Sequence, residues 1–377
     1  MNFEFTEEQK EYRKEIIKFA KKELNKKHDY REFSREMWKK AAEFGLFALN
    51  VEEKYGGLGE DYLTMALVLE ALGYACDDNG FIFAINNHLW VAQNLIQLFG
   101  SEMLKEKYLG NMIAGDCIGC FAITETEAGS DPMSMLTTAV ENEDRTFTLN
   151  GSKMFISNGP IADVFVVTAK TKEGRCMIFV VEKDLSGLNI GKNIHKMGLE
   201  SCPFCELNFE GCIVPRENVL GKTGAGFFIV DAALEWERCF EFASNIGTMQ
   251  RIMEQCIAYG RKRKQGGKSI SEYQGVSHKI AEMKVAIEMS RNMLYKIAWM
   301  KDQGKNAYKE SAVFKLFVSE NYVKTCQNAL QIFGGYGYTT EYCYERELRD
   351  ALGSVIYSGT SDIQKNIIYE LSVWDRF

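Results

Sequence analysis

Arg349-Asp-Ala-Leu-Gly-Ser-Val-Ile-Tyr-Ser-Gly-Thr-Ser-Asp-Ile-Gln364 is the stretch from which this chain is best read. It lies in a C-terminal flank without proline, and the N-terminal flank also has none. All four prolines, Pro132, Pro160, Pro203 and Pro215, fall in the middle third. Interior proline removes a backbone donor and clashes with the preceding turn, so long Met- and Leu-rich flanks free of it are what long helices require. The order expected is helical, then mixed β, then helical.

Local patterns fill in this order. Thr6 followed by Gln9 is a capping-box start signal, and Tyr12, Ile16, Phe19 and Ala20 then recur at helical spacing. Tyr55-Gly-Gly-Leu-Gly59 marks a loop, and further apolar helices run to about Gly115. The period then changes. Thr146–Leu149 and Ser152–Ile156 flank Asn150-Gly151, which predicts a tight hairpin at that dipeptide. Val164–Thr168, Met177–Glu182 and Glu206–Phe209 predict further strands. After Gly221-Lys-Thr-Gly-Ala-Gly226 the helical period returns, with Ile280, Met283, Ile287, Leu294 and Ile297 on one stripe. No internal repeat or low-complexity segment interrupts the pattern.

Composition narrows the class. The chain has 377 residues, enough for two or three packed units, with 46% hydrophobic and 26% charged residues, as in ordinary soluble proteins. A net charge of −7 argues against a nucleic-acid surface; the basic run Arg261-Lys-Arg-Lys264 is local. The acidic N-terminus does not read as a signal peptide or mitochondrial presequence, and no run approaches a membrane span. Eleven cysteines are scattered without a disulfide framework. Cys202-Pro-Phe-Cys205 lacks the second pair or histidines a zinc site needs, so free thiols, no metal and a reducing cytoplasm are expected.

Several motifs carry chemistry. Phe121-Ala-Ile-Thr-Glu-Thr-Glu-Ala-Gly-Ser-Asp131 combines hydroxyls with a Gly-Ser turn whose N–H groups can cradle a phosphate or a polar ring edge. Asn150-Gly-Ser-Lys-Met-Phe-Ile-Ser-Asn-Gly159 offers an aromatic face beside a hydroxyl. Arg263-Lys-Gln-Gly-Gly267, followed by Gln274, and Gln331-Ile-Phe-Gly-Gly335 complete the set. Together with the closing stretch they resemble, in order and over essentially the whole chain, the acyl-CoA dehydrogenase flavoenzymes. The resemblance implies an α+β, mostly α fold: a helical N-terminal domain (1–117), a middle β domain (118–222) and a C-terminal four-helix bundle (223–377).

It also implies FAD and its contacts. Phe121, Ile123, Thr124 and Ser130 belong to the first motif, with Thr124 against the pyrimidine edge and Ser130 at the pyrophosphate. Phe155 would pack beside the isoalloxazine and Ser157 would bond near flavin N5. Arg263 would reach the pyrophosphate of a neighbouring subunit's FAD, a charge-assisted contact suited to guanidinium. Gln331 and Gly335 would touch the adenosine half across a dimer interface, and Thr360 and Asp362 lie near the cofactor. The chain departs from the family pattern at Thr126 (usually proline), Phe155 (tryptophan), Ser157 (threonine) and Gly266 (phenylalanine).

The largest departure is Ser358, where many members carry the glutamate that removes the substrate proton. A serine hydroxyl without a partner base cannot take a carbon-bound proton near neutral pH. In isovaleryl and long-chain types the base lies on the first bundle helix, directly before an arginine. In Asp231-Ala-Ala-Leu-Glu-Trp-Glu-Arg238 that position is Glu237. Glu235, two residues away on a helix, is expected to face elsewhere.

The implied reaction is α,β-dehydrogenation of an acyl thioester. The substrate is an acyl-CoA or, alternatively, an acyl or aminoacyl group on a carrier protein, as in relatives from secondary metabolism. An electron-transferring flavoprotein is the implied electron acceptor, and a homodimer or homotetramer the implied assembly. A flavin-dependent oxidase or monooxygenase, or a scaffold retaining FAD for structure, are the competing classes. Departures at Thr126 and Gly266, with the short tail Val373-Trp-Asp-Arg-Phe377, hint at a divergent branch.

Overall fold

The capping box forms as expected: Thr6 Oγ1 accepts from the Gln9 N–H, and Gln9 Oε1 accepts from the Thr6 N–H, each at 3.1 Å. It starts α1 (Glu7–Phe19), which buries Ile16. The structure is a computed structural model describing residues 4–26, 28–222 and 224–373. The tail residues Trp374 to Phe377 lie outside this range. Among the described residues the N-terminal region continues with the α-helices α2 (Arg35–Glu43), α3 (Tyr62–Ala75), α4 (Asn79–His88), α5 (Asn94–Phe99) and α6 (Glu102–Ile113). Asp61, Asp78 and Ser101 cap α3, α4 and α6 by accepting from N–H groups of the first turn.

The middle region is a sheet of β1 (Gly119–Ala122), β2 (Thr138–Glu141), β3 (Phe147–Ser157), β4 (Val164–Lys170), β5 (Cys176–Glu182), β6 (Leu188–Ile190) and β7 (Phe204–Val214). Its strands lie in the order β1-β4-β2-β3-β7-β6, with β5 also paired to β4. Both faces of β4 and β5 are covered. Val164, Val166, Ile178 and Val180 join the helical core, while Phe165, Val167, Phe179 and Val181 join a second core with Phe147 and Leu207. The predicted runs Val164–Thr168, Met177–Glu182 and Glu206–Phe209 lie within β4, β5 and β7.

The hairpin at Asn150-Gly151 is not there. β3 passes straight through the dipeptide, paired to β7 with a register shift between Leu149 and Gly151. The turn between β2 and β3 comes earlier, where the Asn142 N–H donates to the Thr146 carbonyl at 2.8 Å and Arg145 takes φ +65°. Asn150-Gly151 makes a bulge instead: Asn150 Oδ1 accepts from the Gly211 N–H at 2.8 Å, and Gly151 takes φ +142°. A Cβ on Gly151 would lie 2.6 Å from Thr137 Oγ1. Gly151→Ala is therefore expected to cost about 1–3 kcal/mol, read as a lowered thermal midpoint.

The C-terminal region holds α7 (Gly226–Phe240), α8 (Ala243–Lys262), a small β8 (Lys264–Gln265) and β9 (Lys268–Ser269) ribbon, α9 (Gln274–Asp302), α10 (Tyr308–Phe333), α11 (Tyr344–Gly353) and α12 (Ser361–Val373). Helices α8, α9 and α10 pack on one another, with α7 and α12 against α10 and α3 across α8 and α9. The stripe predicted on α9 is the packed face: Met283, Ile287, Leu294 and Ile297 are buried and Ile280 partly so. Among the described residues no helix is long and apolar enough to cross a membrane.

Candidate active site

Two segments far apart in sequence meet at Glu237. Helix α7 carries it, with the carboxyl enclosed by protein although the side chain keeps some exposure. The closing stretch supplies the other half. Between α11 and α12, Ser358 takes φ +57° and Gly359 φ +85°, turning the chain sharply. Buried Gln364 on α12 holds this turn, donating Nε2 to the carbonyls of Ser358 at 3.1 Å and Gly359 at 3.0 Å. The turn delivers the Ser358 hydroxyl to Glu237, donating to Oε1 at 2.7 Å. The two positions that compete for the base role in the sequence therefore share one place, and only one holds a carboxylate.

Burial raises the Glu237 pKa above the ordinary carboxylate range, against the Ser358 hydrogen bond and the charges of Arg238 and Lys315. Lys315 lies fully buried on α10, and among the described residues its Nζ has no hydrogen-bond partner. Burial pushes its pKa down to about 8. Glu235 faces away, accepting from Lys301 Nζ and, at 2.8 Å, from the Ala307 N–H. It fastens α7 to the start of α10.

The cofactor-motif residues fall into separate groups. In the first, the Met154 N–H donates to the Thr124 carbonyl at 2.8 Å, joining the two β-domain motifs. A bulge in β3 between Lys153 and Ile156 gives Phe155 φ +60° and turns its ring outward, 54% exposed and stacked on Phe204 at 5.6 Å. Left-handed backbone at a non-glycine residue is strained and persists only where its surroundings enforce it. Ser157 and Thr124 are partly exposed, Ser130 is exposed, Phe121 is buried, and Ile123 packs at the edge of the helical core. A flat aromatic face held open beside hydroxyls and an exposed Gly129-Ser130 turn fits a flavin with its phosphates.

Thr360 caps α12, its Oγ1 accepting from the Ile363 N–H at 3.3 Å. Asp362 is exposed and paired with Lys365. Arg263, Gln331 and Gly335 are exposed at a common end of the bundle. There Tyr259, whose carbonyl accepts from the Arg263 N–H at 2.8 Å, stacks on Phe333 at 4.2 Å. Gly266 takes φ +56° in the β8–β9 turn, and a Cβ there would stand 2.5 Å from the Tyr273 hydroxyl.

Sequence reasoning assigned no role to Lys153, although it lies inside a quoted motif. Fully buried, its Nζ donates to Glu125 Oε1 at 2.8 Å, the Ile123 carbonyl at 3.1 Å and Thr168 Oγ1 at 3.1 Å. Glu125 in turn accepts from the Thr137 N–H at 3.0 Å. The pair ties the Thr124 loop to the strand that presents Phe155. Lys315 and Gln364 were also missed; the signal for Lys315 was a lone lysine within the apolar run Ala312-Val-Phe-Lys-Leu-Phe-Val318.

The chain belongs to the acyl-CoA dehydrogenase family. Models of that family's N-terminal domain match residues 6–116, of its middle domain residues 120–212, and of its C-terminal domain residues 224–372. Its fold is the family's three-domain fold, its class that of the FAD-dependent oxidoreductases. Among relatives, it is 38% identical to an acyl-CoA dehydrogenase of Bacillus subtilis (strain 168), covering 96% of this chain and 97% of that one. It is also similar to the prolyl acyl carrier protein oxidase AnaB, at 41% identity, TM-score 0.95, and 98% and 100% coverage. The FAD complex of PigA matches at 36% identity and TM-score 0.95 over the whole of both chains.

Proposed function

We propose that this chain dehydrogenates an acyl thioester between Cα and Cβ, with Glu237 as the base that takes the Cα proton. The observation that carries this reading is the Ser358 hydroxyl on the Glu237 carboxylate, which brings the alternative base positions of the family to one point. Glu237 must be ionised to act. Burial raises its proton affinity and so makes its carboxylate a stronger base for a carbon acid. Ser358 fixes which oxygen is presented. Phe155, Ser157, Thr124 and Ser130 would hold FAD from the β domain, with Phe121 and Ile123 beneath them and Thr360 and Asp362 near the closing turn. The chemistry FAD supplies when bound is acceptance of the hydride equivalent from Cβ. Arg263, Gln331 and Gly335 would serve an FAD shared with a second copy of the chain in a homodimer or homotetramer.

The pH dependence follows. As pH falls through the raised Glu237 pKa the base is protonated, so flavin reduction is lost on the acid side at a pH above the ordinary carboxylate value. Lys315 lowers that pKa. Lys315→Met is expected to move the acid limb of the reduction rate further up, read by stopped-flow over a pH series. An unmoved limb would show that Lys315 does not act on the base.

The thioester handle is CoA in the principal reading. The likeness to a prolyl acyl carrier protein oxidase favours a carrier-borne acyl group as the second. Anaerobic titration with straight and branched acyl-CoAs, following the flavin absorption, separates them. Bleaching by one of them supports CoA; a yellow protein bleached only by a carrier-bound thioester supports the second. An electron-transferring flavoprotein is the proposed acceptor. Fast aerobic turnover releasing peroxide without any added acceptor would assign that role to oxygen.

A further inference from the structure

Glu241 lies one helical turn beyond Glu237, its N–H donating to the Glu237 carbonyl at 2.9 Å. It occupies the short break between α7 and α8 and is 2% exposed. Among the described residues neither of its carboxylate oxygens has a hydrogen-bond partner. Burial, reinforced by the charge of Glu237, holds its carboxyl well above the usual carboxylate range. Its side chain borders a recess that is also lined by Tyr357, the neighbour of Ser358. Through Glu241 and Tyr357 the recess adjoins the helix that carries Glu237 and the turn that carries Ser358, although neither of those two residues lines it.

Glu241 is not the only unmatched group there. Asn86 Oδ1 and the Tyr322 hydroxyl, both on buried residues lining the same recess, also lack partners among the described residues, as does one donor there, Asn245 Nδ2. Asp350, a further lining residue, is already engaged by the Leu199 N–H at 2.6 Å and by Asn79 Nδ2 at 3.0 Å. The buried cations nearby, Lys315 and Arg238, bear on Glu237. A hydrocarbon tail in this recess would seal a carboxyl, an amide oxygen and a hydroxyl away from water, with the Asn245 amide as the one unpartnered side-chain nitrogen among the lining residues to serve them. A protonated amine supplies both the missing charge and the missing donors.

We propose that Glu241 is a specificity-determining residue that receives a basic nitrogen on the acyl group, making the substrate a short amino-substituted acyl thioester. Side chains one turn apart on a helix are roughly 5–6 Å apart at Cβ, so the nitrogen lies within a few bonds of the carbon facing Glu237. Aromatic walls flank the position, with Tyr357 against Phe83 at 4.6 Å and Phe242 at 5.4 Å. The inference rests on the Glu237 reading for the location of Cα.

The test uses pantetheine thioethers carrying pyrrolidin-2-ylmethyl or cyclopentylmethyl groups. They differ by one ring nitrogen and lack the carbonyl that acidifies Cα. Calorimetry on the FAD-loaded protein is expected to show the nitrogen-bearing probe binding at least about tenfold tighter. Glu241→Gln should shrink that preference and Glu241→Leu should reverse it, each with the flavin absorption unchanged. Parent affinities within about twofold of each other, or a preference that survives Glu241→Leu, overturn the proposal. The parent comparison decides even if a variant does not fold. Binding of inert probes does not depend on proton abstraction, so a failure here is distinguishable from a failure of Glu237 as base, which is read by flavin reduction.

Discussion

Glu237→Gln lowers the rate of thioester-dependent flavin reduction by about 10²–10⁴-fold, the range that a positioned general base contributes. The amide keeps the volume and can still accept from Ser358, so the closing turn and FAD binding survive. The loss therefore falls on the chemical step, read as anaerobic bleaching by a reactive thioester under saturating conditions. No other carboxylate can take over easily. Glu235 is committed to Lys301 and the Ala307 N–H. Glu241 lies a turn away, held against ionisation by burial. Bleaching at the parent rate would remove Glu237 from the mechanism.

Lys153→Met is expected to cost about 3–5 kcal/mol of unfolding free energy, the size seen when one partner of a buried ion pair is removed. The substitution strands the Glu125 carboxylate in a site where Glu125 is 6% exposed and also leaves the Ile123 carbonyl without its lysine donor. Because the pair joins the Thr124 loop to the bulged strand carrying Phe155, FAD retention should fall together with stability. Urea unfolding of the parent and variant, with FAD content measured on the same samples, checks both. A loss below about 1 kcal/mol would place the pair with ordinary surface ion pairs. Adding Glu125→Gln should recover part of the loss, since it removes the stranded charge.

The sequence by itself determined the order of the regions, because proline exclusion and hydrophobic period are local properties. Thr6 and Gln9 start α1, and the Met283–Ile297 stripe faces the core, for reasons that act within a few turns of helix. Through the family resemblance it also nominated Glu237 as the candidate base, the carboxylate directly before an arginine on the first bundle helix. The tertiary structure decided the rest. Asn150-Gly151 carries a turn signal, yet pairing with β7 keeps the chain extended there and converts the signal into a bulge. That choice belongs to a partner strand more than fifty residues away. Lys153, Lys315 and Glu241 read as ordinary charged residues because charge is local while burial is not. Only when α7, α10 and the closing turn pack together do Ser358 meet Glu237 and Glu241 lose its water, and the free energy of a buried, unpaired carboxyl is set by everything that surrounds it.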